Sequence, residues 1–401
     1  MAGLDALLQG FSTGNTAAYV AKLEQRVRAR PHDQSSLVLL GLAYQQRARE
    51  TGDPVYYSLS GRALDRAVAA GPKSSLVYSG IASLAVARHR YAAGVAPARE
   101  ALSLDQENGA AWAALGDALS GSGRYQEAFH AFDRAAFLSP SVATYARIGF
   151  AREALGRPAA AQEAIELALD LDPARTIPEH EAWGLVQLGN TRFNVGDLAG
   201  AEQAYRQALS ASPRYVHAQA GIARVEASRG QFIAAAHLLE HALQILPTPQ
   251  NAILLTEVYS AAGNAAASRR AAGLVDAIER LLRANGVRTE QQTALFDLDH
   301  GRQVADALTR ARTAYAEAPS VFAADVLAWA LQRNSRCAEA RRYSIDSLRL
   351  GTHDALRYFH RGMIERCLGH DTAAQIWFRR ALELNPHFSL LWAPVARRLA
   401  G

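Results

Sequence analysis

His237 and His241 stand four residues apart in HLLEH, the helical spacing that puts two imidazoles on one face, as a metal site needs. The order HExxH, which would add the general base of a zinc hydrolase, is absent, and in register both histidines fall on the outward side of a helix. They read as exposed or half-buried imidazoles. Asp299 and His300, in LFDLDHGR, form no nucleophile pattern with the more distant serines, and that stretch reads as the close of a helix at a turn. Cys367 and His370 lie three apart with no second ligand pair to complete a metal site. No GxGxxG or GxxxxGKS/T loop follows a strand, and no strand is evident. The residues point to a chain without catalysis, cofactor or metal of its own.

The elements that would position any site must come from 401 residues of ordinary folded composition, 49% hydrophobic and 20% charged. No run approaches the roughly 18 apolar residues of a membrane span, so no membrane insertion is expected. The opening MAGLDALLQGF lacks the basic start and long apolar core of a leader, which points to the cytoplasm. Cys337 and Cys367 are thirty residues apart without a CxxC and read as reduced thiols. Among the basic residues only Lys22 and Lys73 are lysine, an arginine habit rather than a nucleic-acid signal. From 301 to 401 there are 15 Arg against 9 Asp plus Glu, a mildly basic end that suits a solvated helix face.

Self-similarity organises the chain. Pro31, Pro72, Pro140, Pro173, Pro213, Pro247, Pro319 and Pro386 close helical stretches, with spacings of 41, 68, 33, 40, 34, 72 and 67, so the unit is close to 34. In residues 111–140 it reads Gly116, Gly123, Ala128, Phe132, Ala135, Pro140. The same six places hold Gly149, Gly156, Ala161, Ile165, Ala168 and Pro173, then Gly189, Gly196, Ala201, Tyr205, Ala208 and Pro213. Gly362, Gly369, Ala374, Phe378, Ala381 and Pro386 repeat them again. Small residues let two helices approach, the middle glycine permits a tight turn, the aromatic fills the space left, and proline ends the second helix.

This pattern resembles the tetratricopeptide repeat, a helix-turn-helix unit, over about residues 34–386. The resemblance implies an all-α solenoid, a right-handed superhelix of about ten antiparallel helical hairpins of bacterial type with terminal capping helices. Residues 1–33 read as an N-terminal half repeat or cap. Residues 34–247 read as a regular array of about six repeats, with insertions near 45–58 and 174–181. Residues 248–386 read as a degraded array of about four, with a long helix near 265–285, and 387–401 as a C-terminal capping helix, FSLLWAPVARRL covering the last repeat.

The resemblance also implies a binding site on the concave face, lined by the first helix of each hairpin. The inward positions of the middle copies hold Arg147, Phe150, Gln187, Asn190, Phe193, Asn194 and Arg224, with Trp183 and His217 beside them. Amides can hydrogen-bond a peptide backbone, arginine can pair with a carboxylate, and aromatics give contact area. Against this, Phe150, Trp183 and Phe193 could serve only to pack adjacent hairpins, and Phe296, Phe322, Trp329 and Phe359 to fill gaps in degraded copies. A family variant that clamps a C-terminal carboxylate is not matched, since Val186, Gly221, Gln250 and Leu254 stand where its Lys, Asn, Lys and Arg would be. The expected role is a protein- or peptide-binding scaffold or adaptor. A regulatory subunit of a separate enzyme or transport complex is the alternative. An RNA-reading repeat is disfavoured because Ala110 and Ala113, and Ala143 and Ala146, occupy the positions that would read bases, so no nucleic-acid partner is expected.

Overall fold

A computed structural model describes residues 15–170 and 178–401, which contain 22 α-helices and no strand. After a single helix, α1 (Thr16–Ala29), they pair into ten antiparallel hairpins. The first three are α2 (Gln34–Thr51) with α3 (Val55–Ala70), α4 (Ser75–Ala87) with α5 (Tyr91–Leu104), and α6 (Gly109–Gly121) with α7 (Tyr125–Leu138). Then come α8 (Val142–Ala154) with α9 (Pro158–Asp170), α10 (Pro178–Asn194) with α11 (Leu198–Ala211), and α12 (Val216–Ser228) with α13 (Phe232–Ile245). The rest are α14 (Pro249–Ala261) with α15 (Ala265–Ala284), α16 (Glu290–Asp299) with α17 (Val304–Glu317), α18 (Val321–Arg333) with α19 (Cys337–Ser347), and α20 (Ala355–Cys367) with α21 (Asp371–Leu384). A short α22 (Ala393–Leu399) ends the chain.

The 34-residue pattern has a steric cause. A Cβ on Gly116 would lie 2.4 Å from the Phe132 ring, and one on Gly189 or Gly362 would lie 2.4 or 2.5 Å from Tyr205 or Phe378. The two helices of a hairpin therefore touch backbone to ring, and only glycine leaves room. The turn glycines do a second job: Gly123 sits at φ 77°, in the left-handed region that L side chains avoid. First helices start on side-chain caps, as where Asn108 accepts from Ala111 N at 3.0 Å and Ser320 from Ala323 N at 3.1 Å.

Two compact units result. The first holds residues up to Ser139 together with Arg280–Thr289. Its interior carries a buried amide, Gln45, which donates to Ser60 Oγ at 3.2 Å and Gly80 O at 3.1 Å and accepts from Ser83 Oγ at 2.8 Å. Residues 285–289 join it through Arg288, whose N–H reaches Arg88 O at 3.0 Å and whose carbonyl lies 2.7 Å from His89 Nδ1. The second unit holds Pro140–Glu279 and Glu290–Gly401. It turns back on itself: Thr352 Oγ1 donates to Ala154 O at 2.5 Å, and Gly156 faces Gly351 so closely that a Cβ would meet Gly351 O at 2.3 Å.

Insertions and ends differ from hairpin to hairpin. The extra residues near 45–58 lengthen α2 to 18 residues. Those near 174–181 fall partly outside the described residues, and α10, which takes up the rest from Pro178 onwards, has 17. The opening segment through residue 14 and Pro173 also lie outside the described residues. At the other end the covering helix is shorter than FSLLWAPVARRL suggests. Ser389 Oγ accepts from Leu391 N and Trp392 N, both at 3.2 Å, and Asn385 Oδ1 from His387 N at 2.8 Å, so local side chains capture the N–H groups a helix would use.

The cysteines are not reduced. Cys337 and Cys367 form a disulfide, their Cα atoms 6.1 Å apart, inside the range a disulfide spans. The reading from spacing failed because α19 and α20 are successive antiparallel helices. The start of one therefore lies beside the end of the next.

Candidate functional site

The second unit brings several inward residues of the middle hairpins together. Arg224, on α12, stacks its guanidinium 3.7 Å from the centroid of Phe193 on α10, a close cation–π contact. Its Nη2 donates to Asn190 Oδ1 at 3.3 Å and to Tyr205 Oη at 3.1 Å, and Tyr205 Oη donates to the same Asn190 oxygen at 2.9 Å. Arg224 Nε is buried without a hydrogen-bond partner. One turn from Asn190, Asn194 Nδ2 donates to Glu153 Oε1 on α8 at 2.8 Å. Burial pushes the Glu153 carboxyl up, and the bond from Asn194 pulls it part of the way back.

The remaining expected residues differ in their surroundings. Arg147 turns to its own helix and donates Nη1 to Ala143 O at 2.9 Å. Phe150 is 47% exposed. Gln187 is half-buried on α10. Phe193 is buried rather than presented to a partner, because Arg224 covers its ring. Nor are the groove's polar groups simply solvated, as expected for an empty face; Arg224, Asn190 and Asn194 are each paired. The two histidines of HLLEH are exposed, and His241 Nδ1 lies 3.0 Å from Gln219 Oε1.

Among the later first helices, where Asp325, Trp329 and His360 also hold positions expected to face inward, a second constellation appears. Asp299, at the end of α16, accepts from both Trp329 Nε1 and Trp392 Nε1 at 2.9 Å. His360 is fully buried; its ring stacks on Trp329 with centroids 4.4 Å apart, and Nδ1 lies 3.0 Å from Asp325 Oδ2. Burial pulls the His360 imidazole down, but the charge and hydrogen bond of Asp325, with Asp299 behind them, outweigh it and raise its pKa. Burial raises the Asp299 carboxyl. Glu257 on α14 is pushed up to about 8, first by burial and then by the charge of Asp299. Trp329 and Phe359 are fully buried, so these aromatics fill the interior of the degraded copies.

Glu153 was within reach of the sequence, since it occupies an inward position one turn after Gly149 and a carboxylate there suits Asn194. Asp299 was not. It stands in a copy that has lost its glycine pattern, and its two partners lie 30 and 93 residues away.

A family model of the tetratricopeptide repeat matches residues 142–175, 184–215 and 356–388. No curated protein matches the sequence. Among solved structures, the human IFIT1 dimer with PPP-AAAA has a TM-score of 0.50 at 14% identity, covering 96% of this chain and 91% of that one. PilW, a type IV pilus biogenesis factor, has 23% identity and a TM-score of 0.41, covering 51% of this chain and 92% of its own. YrrB, a repeat protein with an unusual peptide-binding site, has 19% identity and a TM-score of 0.30, with 47% and 94% covered. With three copies matched by the family model and the described residues forming ten helical hairpins of the same kind, the chain carries tetratricopeptide repeats in an all-α array.

Proposed function

We propose that the chain is a protein- or peptide-binding scaffold or adaptor, without catalysis of its own, whose partner lies along the inward face of α8, α10 and α12. The observation that carries this is Arg224. Its guanidinium is aimed by Phe193, Asn190 and Tyr205, and its Nε donor is buried with no acceptor. A half-buried guanidinium fixed in this way can pair with a carboxylate or backbone carbonyl of a partner while losing little side-chain freedom. Asn190, whose oxygen serves Arg224 and Tyr205, offers its Nδ2 to a peptide carbonyl. Phe150 adds exposed aromatic area on α8.

RNA is the weaker reading. IFIT1 is seen with PPP-AAAA, but at 14% identity the likeness is one of fold alone, and here Ala110 and Ala113, and Ala143 and Ala146, stand where a base-reading repeat would carry polar side chains. The disulfide favours an oxidising compartment over the cytoplasm expected from the start of the chain. Thiol alkylation of the native, unreduced protein should then leave both cysteines unmodified.

The test is capture from the native host, identification of what is retained, and titration of that purified partner. Asn190→Ala, Asn194→Ala and Arg224→Ala together should weaken it at least tenfold, about 1.4 kcal/mol. Because these groups are paired, the triple should also lower the melting midpoint modestly. A control triple at exposed positions, Arg214→Ala, His237→Ala and Gln244→Ala, should change neither. Equal partner binding by both triples, with folded protein, removes the site from this face.

A further inference from the structure

Residues 385–392, NPHFSLLW, do not simply lead from α21 to α22; they cross the inward face of the second unit. Asn385 Nδ2 donates to Phe193 O at 2.8 Å, at the end of α10 where the candidate partner site lies. Next to it, Leu384 O and Pro386 Cδ press on Gly196 so closely that a Cβ there would meet each at 3.3 Å. Leu390 packs on the apolar cluster of Ala223, Leu255 and their neighbours from α12 and α14. Phe388 lies 5.8 Å from Phe359, and Trp392 stacks on Phe359 at 5.3 Å while its Nε1 reaches Asp299. One stretch of eight residues thus touches inward helices from α10 to α20.

Its burial differs from that of the wall it lies on. Trp329 and Phe359 are fully buried, whereas every residue from His387 to Trp392 keeps part of its surface open. The segment satisfies its own backbone through the Asn385 and Ser389 turns, and its ties to the wall are side-chain contacts. That is how a bound non-helical peptide sits on a receptor: apolar side chains inward, one flank in water, few main-chain bonds to the host.

We propose that residues 385–392 are an intramolecular occupant of the second unit's peptide groove, so that the chain is autoinhibited and its partner is a non-helical segment bearing aromatic and leucine side chains. The inference rests on the reading of that face as the partner site. Tethering gives such an occupant an effective concentration of about millimolar, so it holds the groove against a free segment of equal intrinsic affinity until that segment approaches the same concentration. A partner must either carry more contacts, as to Arg224 and Asn190, or arrive when the segment has been drawn away.

The probe is a fluorescent peptide of residues 385–392, titrated up to about millimolar against the full chain and against full-length Phe388→Ser, Leu390→Asp. The double variant, shown folded by circular dichroism and a cooperative melt, should bind the probe at least tenfold more tightly than the unaltered chain. Equal affinity, or no binding to the folded double variant, overturns the inference. Should the double variant fail to fold, Asn385→Ala removes the hydrogen bond to Phe193 O together with the turn bond from His387 N, both of which hold the segment in place, and should still tighten the probe about threefold; no change there overturns it as well. The partner found by capture separates the two readings. If Asn190→Ala, Asn194→Ala, Arg224→Ala weakens that partner while the double variant leaves its affinity unchanged, the groove stands and autoinhibition falls. If the triple has no effect while the double variant gains the probe, the occupied groove stands and the assigned partner residues fall.

Discussion

Helices α6 and α18 hold the same place in their hairpins and bury opposite amounts of themselves. In α6 the hairpin side is closed by Gly116 against Phe132, while inward positions Ala110 and Ala113 stay open or half-open. In α18, Val321 and every residue from Ala323 to Leu331 are buried, including the inward Asp325 and Trp329. A helix buried on all sides needs apolar residues on all sides, and α18 reads VFAADVLAWAL. The motif is clear where a helix meets only its neighbours. It blurs where the chain's own C-terminal segment covers the remaining face and selects for Trp329 instead of a small inward residue.

Several changes would break or sharpen that contrast. The largest effect is expected for Trp329→Ala, which removes a fully buried ring that also donates to Asp299; a loss of about 3–5 kcal/mol should show in urea unfolding of the full chain. A loss below about 1 kcal/mol would mean that α18 is not covered as described. Gly116→Leu, or Ala135→Leu in the facing helix, should cost about 1–3 kcal/mol or more by overpacking, since Phe132 already stands 2.4 Å from where a Gly116 Cβ would be. A near-neutral Gly116→Leu would undo the steric account of the repeat.

The covered interior should also give the second unit an unusual pH response. Glu257 and Asp299 have raised folded-state pKa values, so the folded form holds protons that the unfolded form has released. Stability then falls as pH rises from Glu257's ordinary 4.5 towards about 8. His360, also raised, acts in the same direction: its contribution is present below its ordinary 6.5 and is lost as pH climbs through the folded value. The urea midpoint should be higher at pH 5 than at pH 8, and Glu257→Gln should flatten the difference. A midpoint that rises over this window would show that the carboxyls are not enclosed. The smallest effect belongs to His237→Ala, at an exposed position of α13, expected within about 0.5 kcal/mol of zero.

Much of the architecture was legible beforehand. Gly116, Phe132, Ala135 and their counterparts mark hairpins because close helix approach leaves few residue types that fit, and that constraint acts between residues less than 20 apart. The candidate site was legible in part. Inward register identified Asn190, Asn194 and Arg224, but it could not show that Arg224 lies on Phe193, or that Asn194 is held by Glu153, 41 residues away. The cysteines were misjudged for the same kind of reason, since their pairing depends on two helices lying antiparallel.

The sequence by itself determined the repeating unit and the helical class, because those follow from contacts within a hairpin and between neighbours. Only the tertiary structure decided what meets across the inward face of the second unit. Asn385 against Phe193 and Trp392 against Asp299 are pairs 192 and 93 residues apart, with several hairpins between them in the chain. Contacts across so many units are written in no local spacing, and so the occupant of the groove appears only when the chain is folded.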